Sequence, residues 1–231
     1  MDDIVIRAMA KWPNVPVVYG WLALDRRGQW SIKIGSPEGL VASPKGSAAS
    51  PERSVGPPEN AAQTEPGFEP VTNRKLIEFV GRNYAHDAEG RWYFQNGPQR
   101  VYVKLAYTPL VYRIASAHPL SFATHTGVPC ASLLAAWMDE AGNLLLVSEH
   151  GPGLLVDRDL PRGLEALSYA DGHALEEEQW LALMQQGDDM DGVYFNTGDA
   201  SLPLALIRSD EAPQRLGYVL EPQPRLGKPD G

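Results

Sequence analysis

The sequence predicts an α+β protein, mostly antiparallel β-sheet with two or three helices. Short stretches that alternate apolar and polar residues dominate the 231-residue chain, and glycine-containing turn phrases stand between them. Only two stretches carry helical spacing. A hydrophobic content of 43% with 21% charged residues supplies a core and excludes wholesale disorder.

The first element is a hairpin. Residues 17–24 are rich in β-branched and aromatic side chains, Asp25 to Gly28 supply turn chemistry, and Trp30, Ile32 and Ile34 alternate on the way back. Residues 36–70 are dominated by Pro, Gly, Ser, Ala and Glu with no strand or helix period. Such a tract buries too little to offset its ordering entropy and is expected as a flexible insertion. Thr72 or Asn73 then caps a helix in which Leu76, Ile77, Val80 and Tyr84 follow helical spacing and Phe79 widens the stripe.

In the strand that follows, Trp92 and Phe94 share one face and Arg91, Tyr93 and Gln95 the other. Asn96-Gly97 signals a hairpin, which Pro98 is expected to open into a wider corner than a two-residue turn. Beyond it Val101, Val103 and Leu105 oppose Arg100, Tyr102 and Lys104, and a third strand continues after Pro109. Further on, ALEEEQWLALMQQ reads as a helix with glutamates in its first turn, favourable to its dipole. VYFN, LPLALIRS and RLGYVLEP read as short strands, and residues 221–231 as a frayed tail.

One phrase occurs twice. Residues 87–105, DAEGRWYFQNGPQRVYVKL, and 139–157, DEAGNLLLVSEHGPGLLVD, both run acid, two residues, Gly, apolar stretch, Gly-Pro corner, apolar stretch. The second has two more residues between its glycines, and DRRGQW at 25–30 repeats the opening alone, so the period is too irregular for a solenoid. The recurrence predicts two units, each wrapping its own compact interior. The first comprises residues 1–35 and 71–115 around the insertion at 36–70, and the second is a β-rich domain at 116–220 with the acidic helix.

The net charge of −9 is unevenly placed: residues 170–212 hold ten acids and one base, whereas Arg74 to Arg113 hold seven bases and three acids. An acidic field repels phosphate backbones, so general nucleic-acid binding is not expected. The N-terminus is acidic and lacks a long apolar stretch, and no segment is long and apolar enough to span a membrane, which predicts a soluble cytoplasmic protein. The single cysteine excludes an internal disulfide and a four-cysteine zinc site.

No catalytic set assembles in the sequence. His86, His118, His125, His150 and His173 are scattered without an HExxH spacing, and GDDMDG at 187–192 lacks the ligand rhythm of an EF-hand. Cys130 sits after Pro129 and before the apolar ASLLAAW, a setting for a buried, inert thiol. No nucleophile elbow and no P-loop appears. No catalytic residue, cofactor or metal site is assigned. The face made by Arg91, Tyr93, Arg100, Tyr102 and Lys104 is the candidate binding surface, since cations interleaved with aromatics stack on ligands and anchor partners. Its competing explanation is a contact with the acidic region of the same chain.

RRGQWSIKIG and, past the insertion, LIEFVGRNYAHDAEGRWYFQNGPQRVYVKLAYTPLVYRI resemble uncharacterised bacterial, proteobacterial families of unknown function. One of these has tandem small β-rich domains of pleckstrin-homology-like (PH-like) shape. The resemblance implies ligand or partner binding and supplies no catalytic residues. The resulting expectation is a binding or regulatory protein for a small ligand or protein partner. The alternative is a hydrolase or metal-dependent enzyme using His125 and His150 with acidic C-terminal residues. The ligand, the partner and the oligomeric state are not written in these residues.

Overall fold

The computed structural model describes residues 1–34, 67–175, 179–180, 190, 192–198 and 200–225. At Asp25, Asp87 and Asp139 the acid-x-x-glycine phrase folds into one and the same turn. At 25–29 the Asp25 N–H donates to the Gln29 carbonyl, the Gly28 N–H returns to the Asp25 carbonyl, and Asp25 Oδ1 accepts from the N–H groups of Arg27 and Gln29. Residues 87–91 and 139–143 repeat all four bonds around Asp87 and Asp139. The glycines stand at φ 79°, 74° and 78°, the left-handed conformation that lets the chain re-enter a strand through a bulge. An acid leads because one carboxylate oxygen replaces two missing backbone acceptors.

These turns join strands into two sheets. The first contains β1 (Val18–Leu24), β2 (Trp30–Lys33), β3 (Phe68–Pro70), β4 (Tyr84–His86), β5 (Trp92–Asn96) and β6 (Gln99–Leu105), in the order β3-β2-β1-β6-β5-β4. The second contains β7 (Leu110–Ala117), β8 (Leu120–Thr124), β9 (Leu133–Met138), β10 (Leu144–Ser148), β11 (Gly151–Leu155), β12 (Leu167–Tyr169), β13 (Val193–Asn196) and β14 (Ser201–Leu206). Its order is β12-β13-β14-β9-β10-β11-β7-β8. Within these lies one five-strand pattern built twice. β2-β1-β6-β5-β4 and β8-β7-β11-β10-β9 share their order and, read along it, the same senses: antiparallel, parallel, antiparallel, antiparallel.

Through the second hairpin of each pattern the shift is a constant 52 residues, from Asp87 to Asp139 and from the pair Tyr93–Tyr102 to the pair Leu145–Leu154. The two Gly-Pro dipeptides therefore do not correspond. Gly97 and Pro98 are themselves the two turn residues between the paired Asn96 and Gln99, so the corner is tight rather than wide. Gly97, at φ 59°, supplies the positive first position of a II′ turn, and Pro98 suits the second, where φ is negative and no N–H is needed. In the second copy the turn residues are Glu149 and His150, and Gly151-Pro152 already belong to β11. The wider glycine spacing of the second phrase therefore does not lengthen its hairpin.

Several other expectations change. The sheets are mixed, with nine antiparallel and three parallel strand pairs among the described residues. The strand after Pro109, β7, opens the second sheet instead of extending the first. Residues 68–70, assigned to the insertion, pair with β2, whereas 35–66 lie outside the described residues. Four α-helices are described: α1 (Asp3–Lys11), α2 (Arg74–Arg82), α3 (Leu160–Leu164) and α4 (Ala212–Leu216). In α2, the helix read from the sequence, Asn73 Oδ1 accepts the Leu76 N–H at 3.2 Å. RLGYVLEP is not a strand, because Pro213 starts α4 and Gly217, at φ 73°, ends it. The expected acidic helix falls almost wholly outside the described residues, which place only Gln179 and Trp180 in a helix. Among the described residues no helix is long and apolar enough to cross a membrane.

The buried side chains of the two sheets join in one cluster that runs from Leu22, Trp30, Trp92 and Val103 to Tyr112, Leu144, Leu146 and Phe195. The two patterns thus share an interior, contrary to the expectation of one in each half. His125, just past β8, lies in the seam. Its ring centroid is 5.3 Å from that of Trp30 and 5.9 Å from that of Tyr84, and Nδ1 accepts the Val111 N–H at 3.2 Å. Any Cβ added at Gly28 would come within 2.6 Å of the His125 Cβ. Because Nδ1 accepts, the proton sits on Nε2, which is out of solvent contact and without a partner. Burial, and secondly the Arg113 charge, push the imidazole down to about 3 from its ordinary 6.5.

Two outcomes follow from this architecture. Asp139 is 0% exposed and also accepts from Tyr107 Oη at 2.8 Å and from Asn143 Nδ2. Asp139→Ala strands these donors and should cost about 3–5 kcal/mol in urea unfolding, against about 1 kcal/mol for Asp25→Ala in the more open turn. Equal losses would show that burial does not decide the cost. For His125 the unfolded chain binds more protons than the native one between pH 6.5 and about 3, so stability falls as pH falls through that window. His125→Asn retains an acceptor for the Val111 N–H and removes the titration. It should flatten the decline of the urea midpoint between neutral pH and about pH 4.5, and an unchanged slope would assign the decline elsewhere.

Candidate functional site

The five residues expected to form a binding face do come together, but as a packed stack more than as an open surface. Arg91, Tyr93 and Tyr102 are 8%, 7% and 1% exposed, and Arg100 and Lys104 are half-buried. The strand alternation was read correctly: Trp92, Phe94, Val103 and Leu105 point into the core and the five point away from it. What covers them is the chain itself. Tyr19 of β1 stacks on Tyr102 at 4.7 Å and 9°, and Arg91 lies over the Tyr102 ring at 4.7 Å. Beyond α4, the Val219 N–H donates to the Gly90 carbonyl, the Leu220 carbonyl accepts from the Leu105 N–H, and Glu221 pairs with Lys104 at 3.7 Å. Arg225 pairs with Glu89, so the tail is held, not frayed, through residue 225.

Asp87 ties the stack to the turn beneath. Its Oδ2 accepts from Arg91 Nε at 2.8 Å and from Tyr102 Oη at 3.0 Å. Burial alone would raise this carboxyl, but the Arg91 and Glu89 backbone N–H groups, the Arg91 guanidinium and the Tyr102 hydroxyl outweigh it and hold the pKa below its usual value. These residues are committed to one another. Arg100 belongs to the same stack, its guanidinium 4.8 Å over the Tyr93 ring and hydrogen-bonded to Tyr102, and its side chain also reaches the wall of a groove.

That groove, of about 640 Å³, runs between the α1–β1 connection and the β5–β6 hairpin. Its walls include Trp12, Pro16, Tyr19, Pro98, Arg100 and Pro224. Gln99 Nε2 donates to the Pro16 carbonyl at 3.1 Å and pins the connection to the hairpin. Trp12 is 51% exposed, with Lys11 Nζ 4.6 Å over its ring. Below lies Gln95, 0% exposed: its Nε2 donates to the Gly97 carbonyl at 2.9 Å, which leaves Oε1 as a buried acceptor with no donor among the described residues. Such a group is uncommon in a folded protein and marks a place where a polar partner is missing. The groove combines flat apolar walls with a guanidinium, a chemistry suited to an anionic group carried on a flat apolar body.

The sequence did not point to this groove, because α1 was not foreseen. Asp2 before the helix and buried Val5 are its signals, but Ile4 and Ile6, 67% and 50% exposed, blur the helical period.

Among the described residues the alternative site is not assembled. His125 lies in the seam, whereas His150 is in the β10–β11 turn, its Nε2 3.0 Å from the Pro129 carbonyl and 3.3 Å from Glu149 Oε1. They share no hydrogen bond or ring contact. Glu149 is itself occupied by the N–H groups of Ala131 and Ser132. Cys130 is half-buried, and burial pushes its thiol up to about 11, an inert setting of the kind the flanking residues predict. His173 pairs with Asp171 at 3.0 Å, and Asp188, Asp189 and Asp191 lie outside the described residues. Among the described residues no three His, Cys, Asp or Glu side chains are grouped as metal ligands would be.

No curated protein matches the sequence. Among solved structures, the crystal structure of a DUF1285 family protein from Silicibacter pomeroyi DSS-3 is similar, with 13% identity over 89% of this chain and 96% of that one, at a TM-score of 0.46. A likeness that slight supports no argument about fold or function. The family described as "Protein of unknown function (DUF2946)" matches residues 1–223, nearly the whole chain, and the chain belongs to that family.

Proposed function

We propose that this is a soluble, cytoplasmic binding protein and that the groove beside β6 is its ligand site. The observation that carries the reading is the meeting of a half-exposed Trp12 with Arg100, seated on Tyr93, across a groove of about 640 Å³. Of the five residues expected to bind, Arg100 makes the contact, Tyr93 and Tyr102 hold it in place, and Arg91 and Lys104 are engaged by Asp87 and Glu221. The ligand is an anion on a flat apolar body, carried by a small molecule or by an acidic, aromatic segment of a partner protein.

We propose further that the two five-strand patterns are tandem copies of one unit, of the PH-like kind implied by the resemblance. Support comes from their common strand order, common senses and constant 52-residue shift. The seam then falls just before β7, which pairs only within the second sheet.

Anilinonaphthalene sulfonate has the required chemistry and reports its own binding by fluorescence. The native protein, checked by near-ultraviolet circular dichroism, should bind it saturably. Trp12→Ala and Arg100→Gln should each weaken binding by about tenfold without loss of the native signal. Unchanged binding in both variants would remove the groove from consideration. A short peptide containing Phe and Glu, competed against the dye, separates a partner segment from a small molecule as the source of the anion.

A further inference from the structure

A second, chemically different cleft lies where the first turn meets β7. It has a volume of about 500 Å³ and is lined by Arg27, Gln29, Arg113, Val156, Asp157 and Arg158, none of which lines the groove above. Three guanidinium groups face one carboxylate in a protein whose net charge is −9. Arg113 is the telling member. It is half-buried on β7 and has no carboxylate partner among the described residues. Among the described residues its Nη2 reaches only the Arg27 carbonyl, at 3.3 Å, and its buried Nε has no acceptor. A guanidinium Nε–H withdrawn from water and left without an acceptor is unfavourable, and the rest of the fork, which lines the cleft, is open to an anion.

The other two arginines are held loosely. Arg27 pairs with Asp157 at 3.2 Å, but their side chains are 51% and 62% exposed, so the pair is weak and exchangeable. Arg158, 66% exposed, lies 3.6 Å from Asp159 Oδ1. Asp159 is committed elsewhere, since its Oδ2 accepts the Ile114 N–H at 2.9 Å. The three arginines come from separate elements, the β1–β2 turn, β7 and the segment after β11, and so approach the cleft from different directions. A planar carboxylate satisfies one or two such forks; a tetrahedral oxyanion presents oxygens to all three.

We propose that this cleft binds a tetrahedral oxyanion of the phosphate class, either free or as a phosphate monoester. Arg113 forms the floor, Arg27 and Arg158 close over the anion, and Asp157 is the internal competitor that the anion displaces from Arg27. Asp157 therefore weakens binding, while dependence on the Arg113 fork at constant charge is what general attraction to a basic surface does not share.

Inorganic phosphate, titrated calorimetrically into the full chain at constant ionic strength set with chloride, tests this. Saturable binding is expected, about tenfold weaker in Arg113→Lys, which retains the charge but loses the fork. Asp157→Asn, at an exposed position where folding is not at stake, should tighten binding by about threefold or more. Absence of saturable binding, or an Asp157→Asn variant that binds no more tightly, would overturn the proposal. Glycerol phosphate in a parallel titration identifies the source: tighter binding than inorganic phosphate indicates a monoester, and weaker binding the free ion.

Discussion

The fold depends on a carboxylate oxygen that accepts two backbone N–H groups within a five-residue turn. A hairpin closed through a bulge leaves donors on the inside of the turn that no strand can satisfy. Asp25, Asp87 and Asp139 satisfy them in the same way. What differs is how far each is withdrawn from water, and the second oxygen is furnished accordingly. Asp87 Oδ2 takes Arg91 and Tyr102; Asp139 Oδ2 takes Tyr107 and Asn143. The deeper the turn, the more of its carboxylate must be met by side chains of the protein.

With the turns fixed, the strand pairing of the two patterns follows, and equivalent positions can be compared. Tyr93 and Tyr102 form one cross-strand pair; Leu145 and Leu154, 52 residues on, form its counterpart. In the second copy that pair is sealed by Tyr107, Ile207 and Ala212 into a small apolar cluster. In the first it is covered by Tyr19, by arginines and by the tail, materials that leave polar groups and a groove at the edge. The same position in the two patterns is closed by aliphatic packing in one and by aromatic and charged side chains in the other.

Much of this was legible in the sequence, and the failures have physical causes. The turns were legible because acid and glycine positions are dictated locally, and the faces of β5 and β6 because a strand alternates strictly. The burial of Arg91 and Tyr102 was not, since covering residues such as Tyr19 and Leu220 are distant in sequence. Gly-Pro misled the alignment of the two copies: the same dipeptide fills a turn at 97–98 and starts a strand at 151–152, which only the pairing register distinguishes. At α4 the β-prone run YVL outweighed Pro213 and Gly217, the residues that in fact start and end a helix. Of the groove, Arg100 was foreseen and Trp12 was not, because the helix that delivers Trp12 has apolar residues on its outer face.

The C-terminal segment makes the two copies interdependent. Ala212 and Leu216 of α4 pack on Leu145 and Leu154 of the second copy. Directly afterwards the chain crosses to the first, where Val219 bonds the Gly90 carbonyl and Leu220 accepts from Leu105. The crossing is keyed to one turn: a side chain at Gly90 would collide with the Gly217 carbonyl, so the glycine that bends the turn also admits the tail. Pro224, further along the same segment, is a wall of the groove. The groove in the first copy is thus shaped by a strap anchored on the second. Loosening α4 from its apolar seat would therefore alter the groove through Pro224 and Arg225 without touching the residues of the first pattern that line it.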